Sequence, residues 1–208
     1  MERTIYLLRH GQPQLPEGAR LCLGHTDVPL SPAGQRQMRR LARYFAALGP
    51  AAVYGSDLAR SRDCAILLAQ PLGLEPRLRP ELREIDMGQW DGLAFAEIKR
   101  RWPEAYRQRG CDIWRYAAPG GESFAQCAHR AQAALAAIAR VTVGDVLIVA
   151  HAGFNRALLW QWGVRPQAGL TAIAQDYGGL NRLRLSAAGE WRVEAVNEQV
   201  QEEREEQQ

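Results

Sequence analysis

Short, continuous apolar runs alternate along this chain with longer segments whose apolar positions recur every three or four residues. Thr4 to Arg9 (Thr-Ile-Tyr-Leu-Leu-Arg) is short, apolar and β-prone, and reads as a buried strand. A Pro/Gly-rich loop follows from Gly11 through Pro29. Ser31 then suits an N-cap, with Pro32 at the first helical position, where its missing N–H costs nothing. Met38, Leu41, Phe45 and Leu48 continue at helical spacing until Gly49-Pro50 stop the helix. Ala51 to Gly55 reads as a second strand. Ser56 or Asp57 is placed to cap the next helix, which carries Leu58, Ala65, Ile66 and Leu68 as far as Pro71.

The middle of the chain has a different texture. From Pro80 to Gly121 no strand pattern emerges, while Trp90, Phe95, Trp102, Tyr106, Trp114 and Tyr116 crowd together. This segment reads as a helical excursion from the sheet, ending at Pro119-Gly120-Gly121. Glu122 or Ser123 then opens a helix with Phe124, Cys127, Ala131, Ala134, Leu135 and Ile138 on one face. Val146 to Ala150 is another buried strand, followed by a helix through Leu158, Leu159 and Trp160. Leu183 and Leu185, a turn at 187–190, and Trp191, Val193 and Ala195 alternate with polar residues as in a half-exposed hairpin.

Strand–helix alternation with continuous apolar strands predicts an α/β three-layer sandwich. Its central sheet is mostly parallel, helices cover both faces, and a small helical cap sits on top. We expect one domain over residues 1–197, with the cap at about 80–121, and an acidic tail over 198–208.

Composition narrows the class. The chain has 208 residues, 47% of them hydrophobic, which is enough for one sizeable core. No apolar run approaches the roughly 20 residues that span a bilayer, so no membrane partner is expected. Met1-Glu2-Arg3-Thr4 runs straight into the first strand, so no signal peptide is expected either. Cys22, Cys64, Cys111 and Cys127 are scattered, with no Cys-x-x-Cys pair, which fits a reducing cytoplasm and argues against a zinc site. The net charge is +3 although the last residues are rich in glutamate, so the body is more basic than the total. Its arginines are dispersed rather than striped with aromatics; an anionic small ligand is expected, not nucleic acid. An apolar edge strand serves either a homodimer or the core, and the pattern does not choose between them.

The candidate chemistry lies at the strand ends. Arg9, His10 and Gly11 close the first strand, and His151 closes the strand Val146 to Ala150. In open α/β sheets ligands bind beyond the carboxyl ends of the strands. Arg9, His10, Arg60 and His151 would meet there, and such a cluster calls for an anion, with phosphate the natural guest. The helix N-termini after Asp57 and His151 are expected to offer free N–H groups. Neutral histidine can accept a phosphoryl group, and the leaving alkoxide then needs a proton. Glu84 is the best local donor, with Glu81 and Asp86 as rivals. His25 sits beside Gly24 and Thr26, either at the pocket mouth or solvated. His129 reads as a surface residue.

The ordered motifs resemble the histidine phosphatase superfamily, in the branch of cofactor-dependent phosphoglycerate mutases and small-molecule phosphatases. They are Leu-Arg-His-Gly at 8–11, Gly-His-Thr-Asp-Val-Pro-Leu-Ser at 24–31 and Ser-Asp-Leu-Ala-Arg-Ser at 56–61. Leu-Arg-Glu-Ile-Asp-Met-Gly-Gln-Trp-Asp-Gly at 82–92, Pro-Gly-Gly-Glu-Ser at 119–123 and Val-Ala-His-Ala-Gly at 149–153 complete the set. The resemblance implies that His10 is the phosphorylated nucleophile and that Glu84 is the proton donor. It further implies that Arg9, Arg60 and His151 hold the phosphoryl group, with Gly24 and the Ala152 N–H beside it. No metal or cofactor is implied. The activity implied is hydrolysis of small phosphomonoesters, and the 24–31 segment and compact cap look like the alpha-ribazole phosphatase group. A phosphoglycerate mutase or a non-catalytic phospho-ligand binding protein are the other readings. Gln12, Pro13 and Pro16 depart from the family pattern, in which an Asn at the last position helps to bind phosphate. Cys64 replaces a common Thr and is expected to pack. Trp90 or Trp114 is expected to face the organic part of the ligand.

Overall fold

Side chains on the central strands alternate between two separate cores, one on each face of the sheet. In the computed structural model, which describes residues 2–200, Ile5 and Leu7 of β1 (Arg3–Arg9) point into one core and Tyr6 and Leu8 into the other. The strand β4 (Val146–Ala150) repeats this, with Val146, Ile148 and Ala150 on the first side and Leu147 and Val149 on the second. Period-two side-chain direction on a strand buried on both faces demands apolar residues at every position.

Six strands run in the order β3-β2-β4-β1-β5-β6. β2 (Ala52–Gly55), β3 (Arg77–Leu78), β4 and β1 are parallel, while β5 (Leu180–Leu185) and β6 (Trp191–Glu198) form an antiparallel hairpin against β1. Helices α1 (Pro32–Leu48) and α2 (Ala59–Ala69) cover one face. On the other lie α5 (Phe124–Val141) and α6 (Ala152–Gln161). The expected three layers are present. Between them α3 (Phe95–Arg101), α4 (Pro103–Cys111) and two 3₁₀ turns form the strand-free excursion.

Local signals set several boundaries. Ser31 Oγ accepts from the Gly34 N–H at 3.0 Å, Pro32 opens α1, and Gly49 ends it at φ 64°. Only a residue without a Cβ is at ease in that left-handed turn. Of the two candidate caps for α5, Ser123 is used, in a reciprocal capping box with Gln126.

Other expectations yield to tertiary partners. α2 has no side-chain cap of its own: Ser56 turns to His151 and Asp57 pairs with Arg83. The helix is capped from a distance by Asp27, whose carboxylate accepts from the Ala59 N–H at 2.7 Å. β3 escapes the pattern because two exposed residues carry no periodicity. Glu198, expected in the acidic tail, is the last residue of β6 and pairs with Arg182. Residues 201–208 of that tail lie outside the described residues. No helix among the described residues is long and apolar enough to cross a membrane.

Candidate active site

Register places the two histidines together. β1 and β4 are neighbours, and Arg9 lies opposite Ala150, so the residues that follow, His10 and His151, emerge side by side. The His10 N–H donates to the Ala150 carbonyl at 3.0 Å, and the two rings meet edge to face with centroids 5.0 Å apart. β2 lies on the far side of β4 and ends at Gly55; the next residue, Ser56, places its Oγ 2.7 Å from His151 Nε2. Three adjacent parallel strands thus deliver three site residues from the positions just past their ends.

The histidines are almost wholly buried and held neutral. Burial, and then the nearby guanidinium groups of Arg9 and Arg60, hold the His10 imidazole well below its usual range. His151 is pushed down in the same direction, by burial first and His10 second. His10 Nδ1 donates to the Gly11 carbonyl at 2.7 Å. A carbonyl only accepts, so Nδ1 carries the proton and Nε2 keeps a free lone pair.

Arg9, His10, Arg60, Glu84 and Ala152 line one cavity of about 490 Å³. Arg60 is 1% exposed, and its terminal nitrogens donate to the carbonyls of Thr26 and Gly24. Arg9 lies over the ring of Tyr177, with its guanidinium carbon 3.8 Å from the centroid, and donates to the Gln175 carbonyl. Arg9 Nε, Arg60 Nε and His151 Nδ1 are buried without a protein partner. Two guanidinium groups with spare donors beside a neutral imidazole form a receptor for an oxyanion.

Glu84 reaches the cavity by an unexpected route. Its carboxylate accepts from the Gly153 N–H at 3.0 Å, the Phe154 N–H at 2.8 Å and its own neighbour Ile85 at 2.9 Å. Two of the N–H groups expected to be open at the start of α6, those of Gly153 and Phe154, are therefore occupied by the candidate acid, and the Ala59 N–H of α2 meets Asp27. A carboxylate is the natural occupant of a helix N-terminus. Gly153 makes this possible: a Cβ there would stand 2.6 Å from Glu84 Oε1. The neighbouring Ala152, which lines the cavity, has room for its methyl group.

The backbone behind Glu84 is braced from two directions. Arg130 of α5 donates to the carbonyls of Glu81, Arg83 and Glu84, and pairs with Glu122. His25 Nε2 donates to the Glu84 carbonyl at 2.9 Å, so it neither lines the cavity nor faces only solvent. Gly24 is also behind the cavity. Its N–H donates to Asp91 at 2.7 Å and its carbonyl accepts from Arg60, so it orients Arg60 instead of meeting a ligand. The rivals Glu81 and Asp86 stay outside the lining.

The cavity wall also departs from expectation. Trp90 is buried against Tyr106 and Tyr116, and Trp114 packs on Trp160; neither lines the cavity. Pro13, Leu15, Leu21 and Leu23 from the loop after β1, with Phe95, form an apolar side instead. Cys64 is fully buried, its thiol pushed up to about 12, and its sulfur accepts from the Gly11 N–H. It packs, as expected. His129 is exposed on α5. Arg20, Arg156 and Tyr177 also line the cavity, and sequence reasoning misses all three. They belong to no motif and no periodic face, so the linear pattern carries no signal for them.

The model of the histidine phosphatase superfamily (branch 1) matches residues 5–199. The chain belongs to that superfamily. Among curated relatives, the Bifunctional protein Rv2228c of Mycobacterium tuberculosis is 36% identical over 191 residues, covering 88% of this chain and 48% of that one. The chain thus spans about half the length of the first curated relatives it matches. Glucosyl-3-phosphoglycerate phosphatase of the same organism is 32% identical over 169 residues, covering 75% of this chain and 73% of that one. Its native structure superposes with a TM-score of 0.82 at 28% identity over 95% of this chain and 99% of that chain. The alpha-ribazole phosphatase of Shigella flexneri superposes with a TM-score of 0.81 over 94% of this chain and 96% of that one. At 22% identity, that likeness speaks for the histidine phosphatase fold alone.

Proposed function

We propose that this chain is a phosphatase that hydrolyses small-molecule phosphomonoesters through a phosphohistidine on His10. The observation that carries the reading is the state of that ring. It is neutral, its Nδ1 proton is bound to Gly11, and its Nε2 lone pair lies with Arg9 and Arg60 at one cavity. In the first step Nε2 attacks phosphorus, the N–P bond forms and the ester P–O bond breaks. The departing alkoxide takes a proton from Glu84. Water then attacks the phosphohistidine, Glu84 takes its proton, and cleavage of the N–P bond frees phosphate. Arg9, Arg60 and His151 donate to the equatorial oxygens, where phosphoryl transfer concentrates its charge.

The substrate is kept at class level. A likeness to alpha-ribazole phosphatase that extends only to the fold does not favour alpha-ribazole 5'-phosphate over other esters. The relative named for glucosyl-3-phosphoglycerate is the nearer in sequence, and that compound carries a carboxylate besides its phosphate. The setting we infer is the cytoplasm, which the four free cysteines fit.

Hydrolysis of p-nitrophenyl phosphate, followed with rapid acid and alkaline quenching, tests the reading. Phosphate release with a phosphoenzyme labile to acid and stable to alkali is the expected result. Binding of phosphate without turnover of any ester would favour a non-catalytic binding protein. Interconversion of phosphoglycerates with little free phosphate would favour a mutase.

A further inference from the structure

Two cations in the cavity lining stand outside the phosphoryl chemistry: Arg20, which is exposed, and Arg156, which is half-buried. Arg156 lies four residues after Ala152 on α6, so both occupy one helix face, with Cβ atoms about 5–6 Å apart. Both line the cavity. The Nε of Arg156 donates to the Ile173 carbonyl at 2.8 Å, which fixes the guanidinium plane. Among the described residues its two terminal nitrogens have no hydrogen-bond partner and no carboxylate lies within ion-pair distance. Arg83, Arg130 and Arg184, by contrast, each hold a carboxylate.

This placement is costly without a guest. Arg156 is half-buried, and burial first and the nearby charge of Arg9 second work against its cation, an effect that Glu84 and Asp176 offset only in part. Glu84, the single acid in the lining, is already engaged by three N–H groups. A guanidinium held rigid by one nitrogen, with both terminal N–H pairs free, presents a planar fork. Such a fork matches the two oxygens of a carboxylate. A second phosphate would want donors on more sides, as Arg9, Arg60 and His151 provide for the first. Leu15, Leu21, Leu23 and Phe95 line the same cavity and supply apolar surface for a short carbon skeleton.

We infer that Arg156 forms a second anion site in the cavity that selects phosphomonoesters carrying a carboxylate. The inference rests on the phosphatase reading for its reaction, but the binding site stands on its own geometry.

Matched pairs that differ only at the carboxylate test it: O-phosphoserine against O-phosphoethanolamine, and 3-phosphoglycerate against glycerol 3-phosphate. The acid member of each pair is expected to have at least a tenfold higher kcat/KM. Arg156→Met should bring the ratio within about twofold, and Arg156→Lys, which keeps the charge but loses the fork, should retain part of it. Equal kcat/KM within both pairs in the wild type would overturn the inference, as would an equal loss for both members in Arg156→Met. Calorimetric Kd values for the same four compounds, measured on His10→Ala, read the site without turnover. A preference for the acids there, with no phosphate released from p-nitrophenyl phosphate by the wild type, would keep the site and remove the phosphatase reading. No preference in Kd would remove the site whatever the turnover.

Discussion

The floor of the cavity and its roof are built by different means. The floor is His10, backed by His151 and Ser56, which are fully buried and outside the lining; each is the first residue past one of three adjacent parallel strands. Their spacing follows from sheet register, which packing on both faces holds rigid. The roof is Glu84, the loop after β1 and Arg156; Glu84 and Arg156 are held by side-chain hydrogen bonds to segments distant in the chain. The floor is set by the sheet itself; the roof depends on individual braces. Substitutions should therefore act in the floor through chemistry and in the roof through position.

The largest effect is expected at the floor. His10→Ala should lower turnover at least about 10³-fold, as loss of a nucleophile does in a cooperating set. It should also abolish the acid-labile phosphoenzyme in rapid-quench experiments. A labelled protein in that variant would put the nucleophile elsewhere.

Glu84→Gln follows, with about a 10²–10⁴-fold loss on alkyl phosphates and a smaller one on p-nitrophenyl phosphate, whose leaving group needs little protonation. Equal losses on both would assign the proton to another group. Gly153→Ala tests the roof by position alone. Its methyl group would stand 2.6 Å from Glu84 Oε1, so the carboxylate must move. A displacement of about 1 Å is enough for roughly a 10²-fold loss of kcat. Unchanged kcat, with a native melting profile, would mean that the helix N-terminus is not what positions Glu84.

Stability against pH separates the two regions further. Both floor histidines are held well below their ordinary value of 6.5 in the folded chain. Above pH 6.5 neither the folded nor the unfolded state binds the proton, and stability is full. Below it the unfolded chain takes up protons that the folded chain refuses, so stability falls with acid. The slope grows to about 1.4 kcal/mol per pH unit for each histidine as the unfolded state becomes protonated, and averages about half of that between pH 7.5 and 5.5. Urea titrations over that range should show this steepening slope, and His10→Gln should remove about half of it. A flat profile in the wild type would show that neither ring is kept neutral by the fold. The smallest effect is expected away from the cavity. Ser123→Ala removes one arm of the α5 capping box and should cost about 1 kcal/mol in chemical denaturation, with activity preserved.

The same division separates what is legible in linear order from what is not. Thr4 to Arg9 and Val146 to Ala150 carry their own strand signal, so the histidines at their ends are legible as a pair. Ser31, Pro32 and Gly49 bound α1 for local reasons that need no tertiary partner. The cap of α2 defies its local signal because Ser56 and Asp57 have better partners in His151 and Arg83. The aromatic cap residues are likewise drawn into the core, since Trp90 gains more by burial against Tyr116 than by facing a polar cavity. Arg130, Arg156 and Tyr177 act on residues many positions away and belong to no periodic pattern, so nothing local announces them.

Periodicity and turn chemistry in the chain alone were enough for the layered α/β architecture, the strand ends and the histidine pair, because each depends on neighbours within a few residues. Which nitrogen of His10 is free, where the Glu84 carboxylate rests, and how the Arg156 guanidinium is held against Ile173 were decided only when distant segments met. Hydrogen-bond direction and charge balance are properties of atoms in contact, and linear order does not contain those contacts.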